Sequence, residues 1–336
     1  GGDGGWRIGW QFAPLGDAGP WNSEKMWHPR NPEQPSYMLA PISNIEDGPS
    51  GVAYYPGTGL NPSFAGSILI THFKGSISSS GIYDYRLKQK GASYEIADAK
   101  PFLTSALPTD VRFGPDGRVY YSDWAEGWPK SKRGRIYTIF DPERVNDPVV
   151  RETKQIIASD FTRKSADELV RLLGHADWRV RLEAQFTLAE RGAESVARFA
   201  QVLKHDAGAR YARWHATWGL GQLAAKHRQA IDVLKPLLAD RDSEVRAQAA
   251  KLLGDHRVAE AFDDLVARLR DENARVRFFA AQSLGKLKRP EAAEPLLALL
   301  EENNDEDEYL RHAAVMGLVG SNNLSALAAS ARSESR

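Results

Sequence analysis

The pattern R-x-x-A-x-x-x-L occurs five times in the second half of the chain, and it leaves few folds open. It runs Arg181/Ala184/Leu188, Arg213/Ala216/Leu220, Arg246/Ala249/Leu253, Arg277/Ala280/Leu284 and Arg311/Ala314/Leu318, with the arginines 32, 33, 31 and 34 residues apart. An apolar residue precedes each arginine: Val180, Ala212, Val245, Val276 and Leu310. Steps of three and four place these apolar positions on one helical face. The small alanine admits a neighbouring helix, and the leucine fills the space beyond it. A shorter apolar segment lies ahead of each copy: Leu169–Leu173, Val196–Leu203, Ile231–Leu238, Leu265–Leu269 and Leu296–Leu300. One such helix pair cannot bury its own stripe, so the pairs must stack. Residues 165–336 therefore read as an α-solenoid of HEAT-type helix pairs, with Asp177 and Asp242 as N-caps. The recurring arginine has two readings: it bonds carbonyls or acids of adjacent repeats, or it meets a ligand.

The first half is built differently. Residues 1–150 hold 19 of the 28 glycines, 15 of the 18 prolines and six of the nine tryptophans, a turn-dense, aromatic composition that reads as β structure. Two related segments stand out. One reads P-S-G-V-A-Y-Y-P-G from Pro49, S-I-L-I-T-H-F from Ser67 and G-I-Y-D-Y-R-L from Gly81. The other reads P-T-D-V-R-F-G-P-D-G from Pro108, R-V-Y-Y-S-D-W from Arg118 and G-R-I-Y-T-I from Gly134. Each offers three alternating strands, and the P-D-G at 115–117 is a hairpin turn. A fourth strand for the first unit is Ser93–Ala97 or Pro101–Leu107. Four-strand units repeated on this scale suggest propeller blades. The expected layout is a multidomain β + α chain: about two blades of a partial β-propeller over 1–145, a linker or first helix over 146–164, then the solenoid. Two blades do not close a ring, so the chain reads as an internal fragment of a longer protein.

Lysine plus arginine and aspartate plus glutamate both number 44, so no net field draws in nucleic acid or an anionic membrane. No apolar run approaches the ~18 residues of a membrane span. The absence of cysteine excludes a disulfide framework, thiolate metal sites, c-type haem attachment and a cysteine nucleophile.

Propeller topology would place the loops leading into the innermost strands and those between the second and third strands on one face around a channel. The candidates there are His72, Lys74, Asp110, Asp123 and Trp124, with loops 73–81 and 124–134. Aligning the units sets His72 against Asp123 and Gly51 against Asp110. An acid, a histidine and basic, tryptophan-bearing loops suit an anionic planar ligand and a proton transfer. The other reading has Asp110 and Asp123 bonding backbone amides to fix the turns. In the solenoid, Trp214 and Trp218 lie one turn apart in R-W-H-A-T-W-G-L-G-Q. They either pack against a neighbour or form a partner-binding patch. The acidic run 301–308 reads as a solvated loop between helices.

The stretches N-P-E-Q-P-S-Y-M-L, D-G-P-S-G-V-A-Y-Y-P-G-T-G-L, Q-K-G-A-S-Y-E-I, P-T-D-V-R-F-G-P-D-G-R-V-Y-Y-S-D-W-A-E-G-W and R-W-H-A-T-W-G-L-G-Q resemble a bacterial family of large membrane-associated dehydrogenases. The opening G-G-W-R-I-G-W is similar to a loop of sugar dehydrogenase propellers. That family joins a glucose/sorbosone dehydrogenase-like propeller to HEAT repeats and often to a cytochrome c-like domain. The resemblance implies a quinoprotein oxidising a sugar or alcohol in the periplasm or cell envelope. Pyrroloquinoline quinone with calcium would be the cofactor, and haem c would sit in a domain beyond this chain. The solenoid would then be an arm docked on the propeller, spacing a redox head from a cytochrome-like domain or protein partner. The alternative is a non-catalytic propeller–HEAT scaffold for protein binding. A calcium-dependent propeller hydrolase would need more convergent carboxylates than these two units show.

Overall fold

The computed structural model describes residues 48–125, 133–204 and 210–330, together with residues 39, 42, 43 and 45. The G-G-W-R-I-G-W opening, all but the last residue of N-P-E-Q-P-S-Y-M-L, and residues 126–132 of the 124–134 loop lie outside the described residues.

Two antiparallel sheets form the first half. Strands β1 (Pro49–Tyr54), β2 (Ile68–His72), β3 (Gly81–Lys90) and β4 (Ser93–Thr104) follow one another in a four-stranded sheet. Strands β5 (Pro108–Phe113), β6 (Val119–Asp123) and β7 (Arg135–Ile139) make a three-stranded one. The two share one register. Pro49 faces His72 and Pro108 faces Asp123, and in both units the next pairing is shifted, between Pro49 and Gly51 and between Pro108 and Asp110. A hydroxyl pair recurs beside each shift: Ser50–Thr71 and Thr109–Ser122, both with oxygens 2.8 Å apart. The sheets bury a common core of Ala53, Leu69, Ile82, Val111, Val119 and Tyr121. Antiparallel sheets are therefore present as expected; a propeller ring is not shown. β4 is one strand rather than either of the two segments read from the sequence. Register shifts opposite Ile82/Tyr83 and Arg86/Leu87 break its alternation, and an outermost strand tolerates Pro101. The P-D-G turn forms as expected, with Gly117 at φ 75°.

Helix α1 (Pro148–Ile157) and a 3-10 turn at Phe161–Arg163 fill the linker. Five helix pairs follow: α2 (Ala166–Leu172) with α3 (Trp178–Glu190), α4 (Glu194–Lys204) with α5 (Arg210–Ala224), and α6 (Arg228–Leu234) with α7 (Ser243–Asp255). The last two are α8 (Phe262–Arg268) with α9 (Ala274–Leu287) and α10 (Ala293–Asn303) with α11 (Glu308–Ser321), before a short α12 (Leu324–Ser330). The repeated apolar triads sit where the spacing put them. Val180, Ala184, Leu188, Val245, Ala249, Leu253, Val276, Ala280 and Leu284 are all fully buried. No helix among the described residues is long and apolar enough to cross a membrane.

The β half does not carry the solenoid as a projecting arm. It lies along the row of loops that lead into the second helices. At the first pair, Trp178 N donates to Pro56 O at 3.0 Å and Thr58 Oγ1 to Asp177 Oδ2 at 3.0 Å. Gly57 sits between them at φ 107°, and a Cβ there would lie 2.5 Å from Ala176 O. Arg179 reaches back to the carbonyls of Phe113 (2.7 Å) and Gly114 (3.3 Å). At the far end, the β3–β4 tip donates Ala92 N to Asp307 Oδ2 at 2.7 Å, and Arg275 lies 5.6 Å over the Tyr94 ring. The lengths agree: ten extended residues reach ~33 Å, and four helix-to-helix steps of ~10 Å span a similar distance. The expected spacer arm is corrected accordingly, because the hairpin runs beside the rod to its last pair.

Candidate functional site

The channel-face candidates resolve individually. Asp123 is buried, and both its oxygens accept backbone amides: Oδ2 from Leu107 N at 2.8 Å and Oδ1 from Ala125 N at 2.7 Å. Asp110 accepts from Val111 N at 2.9 Å through Oδ1 and pairs with Arg112 Nε at 3.1 Å through Oδ2. These are the bonds of the turn-fixing reading. His72 is 0% exposed; its Nε2 lies 3.0 Å from Tyr85 Oη, and its ring stacks 4.5 Å from Tyr83. Lys74 is exposed, and its backbone N donates to Ser80 Oγ at 2.9 Å. Trp124 stacks on Phe73 with centroids 5.2 Å apart. Those two occupy equivalent places, since Phe73 N donates to Gly48 O and Trp124 N to Leu107 O. Phe73 was the residue missed; aligning the units already set it against Trp124. The structure thus joins the two loops through an aromatic stack. Among the described residues no group of three or more histidines, cysteines or acids is placed to hold a metal ion.

The recurring arginines either brace their own repeat, bridge to the next, or do both. Arg181 Nη1 donates to the carbonyls of His175 (2.6 Å) and Ala176 (2.8 Å). Arg213 donates to Leu203 O at 3.2 Å and Asp240 Oδ2 at 2.5 Å. Arg246 bonds Asp240 O at 2.9 Å and grips Asp271 with Nε at 2.9 Å and Nη2 at 2.8 Å. Arg277 reaches Glu302 at 3.2 Å, and Arg311 bonds Asp305. The structural reading of the arginine holds.

A second signal precedes the caps Asp177, Asp242 and Asn273. Asp242 N donates to Asp240 Oδ1 at 2.9 Å and Asn273 N to Asp271 Oδ1 at 3.0 Å, while Asp242 and Asn273 cap the helices. In the first pair the acid is replaced by His175, whose Nδ1 accepts from Asp177 N at 3.0 Å. Burial pushes the His175 pKa down, which keeps that nitrogen free to accept. Of the acidic run, Glu301 and Glu302 belong to α10 and Glu308 to α11, and Asp307 is the N-cap of α11. Its reading as a simple solvated loop is corrected.

On α5, Trp214 and Trp218 are half-buried with ring centroids 6.5 Å apart. Tyr211, exposed, meets Trp214 edge-on at 5.5 Å. Arg210 lies 4.6 Å over Trp214, and Arg181 4.5 Å over Tyr211. Trp214 Nε1 reaches Asp242 Oδ2 of the next pair at 3.4 Å. The patch both packs on a neighbour and stays partly open. Beneath it His215 bonds Gln185 Oε1 through Nδ1 at 2.8 Å and faces Arg181 Nε at 3.4 Å through Nε2. Burial, with Arg181 beside it, pulls its pKa to about 4.

Comparison with known proteins bears on the helical half. Residues 166–247 and 231–319 match the family model of HEAT repeats. The chain is similar to the complex of CpcE and CpcF of phycocyanin lyase from Nostoc sp. PCC7120, with 23% identity and a TM-score of 0.37 over 45% of this chain and 96% of that one. It is also similar to an engineered protein, with 21% identity and a TM-score of 0.35 over 52% of this chain and 92% of that one. Human deoxyhypusine hydroxylase in complex with glycerol gives 19% identity and a TM-score of 0.32 over 52% and 68%. No curated protein matches the sequence. The dehydrogenase family drawn from the sequence stretches is overturned: the matched family is that of HEAT repeats, and nothing found points to a dehydrogenase. Of the stretches that carried the resemblance, P-T-D-V-R-F forms β5, G-V-A-Y most of β1, and R-W-H-A-T-W-G-L-G-Q lies within α5. The quinone, calcium and sugar or alcohol substrate rested on that resemblance alone.

Proposed function

We propose that the chain is a non-catalytic binding scaffold, a HEAT solenoid braced by a two-sheet β module that presents its second-helix face to a protein partner. The row Tyr211, Trp214 and Trp218 carries this reading. It is partly open, and Arg210 and Arg181 lie over its rings. Tryptophan, tyrosine and arginine are the residue types that dominate binding energy at protein interfaces. A stacked helical rod with a continuous core holds such a row at fixed spacing. The acid Asp123 and the histidine His72, by contrast, are taken up in turn bonds and an aromatic stack. Within the same reading, the two sheets are adjacent units of a propeller-type stack, supported by their shared register and recurring hydroxyl pair.

The test is crosslinking of the full chain in cell extract, followed by calorimetry of the recovered partner against wild type, Trp214→Ala and Trp218→Ala. A loss of about tenfold or more in affinity is expected for each variant. Equal affinity across all three proteins, with unchanged circular dichroism, would sink the proposal.

A further inference from the structure

The five recurring arginines differ in one respect. Four of them meet a carboxylate: Arg213 meets Asp240, Arg246 meets Asp271, Arg277 meets Glu302 and Arg311 meets Asp305. Arg181 is only 7% exposed, yet among the described residues it meets no acid. The sequence supplies the reason. Asp240 and Asp271, which serve Arg213 and Arg246, stand six residues before the next arginine, and the same position before Arg213 is Ala207.

The hydrogen bonds of Arg181 leave one nitrogen over. Nη1 is taken by the carbonyls of His175 and Ala176, and Nε faces His215 Nε2. Nη2 has no partner among the described residues, and it is not sealed from solvent. His215, with its pKa of about 4, brings no charge at neutral pH. Asp177 lies near, but its oxygens are engaged by Thr58 and Arg179. Burial accordingly pulls the Arg181 pKa down. A buried cation without a counter-charge is unfavourable. Two phenols flank it. The Tyr211 ring lies 4.5 Å from the guanidinium, and Tyr54 of β1, 51% exposed, is close enough to interact electrostatically with both Arg181 and Tyr211.

We propose that Arg181, Tyr54 and Tyr211 form a site for one oxyanion group, a carboxylate or a phosphate, which stands where the other repeats carry their own acid. Nη2 donates to one of its oxygens in a charge-assisted bond, and the phenols are hydroxyl donors at the rim. The site adjoins the α5 row. If α5 is a partner surface as read above, the oxyanion is an acidic or phosphorylated side chain of that partner; the site itself does not rest on that reading.

The probes are acetate and inorganic phosphate, each exchanged for chloride at constant ionic strength, with the melting temperature of the full chain as readout. At least one should raise it saturably, by about 2–4 °C at ten times its half-saturating concentration. A response to acetate alone assigns a carboxylate, and to phosphate alone a phosphate group. Arg181→Met should abolish the rise. Arg181→Lys keeps the charge but loses the planar fork, and it should raise the half-saturating concentration about tenfold. Tyr54→Phe changes only an exposed hydroxyl and should raise it about threefold. No response to either anion, or an equal response in the wild type and both Arg181 variants, would overturn the proposal. No partner is present in these titrations, so failure of the α5 row in calorimetry leaves their outcome intact.

Discussion

Asp307 Oδ2 accepts the backbone N–H of Ala92 at 2.7 Å, across 215 positions of sequence. The other oxygen of the same carboxylate caps α11, accepting from Tyr309 N at 2.9 Å and Leu310 N at 3.1 Å. One side chain thus closes a helix and holds the β3–β4 tip against the last repeat. Losing the cap costs ~1 kcal/mol, and losing a charged hydrogen bond about 1.5–3 kcal/mol. Asp307→Ala should therefore destabilise the chain by about 2–4 kcal/mol in urea denaturation. Asp307→Ser keeps a capping oxygen on a shorter side chain. It should retain more of the stability, while hydrogen exchange at residues 91–95 still rises.

Arg246 and Asp271 form a buried pair with side chains 8% and 3% exposed. Burial opposes the Asp271 charge, but the Arg246 bonds and the Asn273 amide outweigh it and hold its pKa below the usual carboxylate range. Arg246→Ala strips that buried carboxylate of its bidentate partner, leaving Arg268 at 3.3 Å and the Asn273 amide, a loss of about 3 kcal/mol. Replacing both residues by apolar side chains of similar volume should recover most of it. A double-mutant cycle measured by thermal denaturation checks the coupling.

His215 gives the chain an acid sensitivity. Its folded pKa of about 4 lies below the ordinary 6.5, so the unfolded chain binds the proton first as pH falls. Stability is complete above about pH 6.5 and declines down to about pH 4, by on the order of 2–3 kcal/mol. His175, also shifted down by burial, works in the same direction. His215→Gln should flatten part of the pH profile of the melting temperature, and a profile identical to wild type would contradict the assignment.

Gly57 combines a positive φ with a close approach to Ala176 O. Gly57→Ala should cost about 1–3 kcal/mol. Proteolysis is expected to become easier in the 55–66 loop before it does so in the helices, and limited digestion with mass spectrometry would show this.

The helix pairs were legible because their signal is local. Val180, Ala184 and Leu188 meet one neighbouring helix through steps of three and four, and five copies repeat the same choice. The β pairing was legible for a related reason: aligning His72 with Asp123 recovers the observed register of both units. Other features carry no such mark. Whether Asp123 serves chemistry or a turn depends on which donors its oxygens meet, and those are the amides of Leu107 and Ala125, groups every residue type supplies. The family reading failed for a similar reason, since the described stretches serve as strand, turn and helix sequence that carries no site of its own.

By itself, the sequence determined the five-pair solenoid, the two strand units and the arginine in each repeat, because periodicity acts over one or two turns or across one hairpin. The tertiary structure decided where the β3–β4 tip lies and which carboxylates are spent on amides. Those outcomes depend on contacts such as Ala92 with Asp307, whose partners are far apart in the chain. A backbone amide has no letter of its own, so only the folded arrangement brings it to its acceptor.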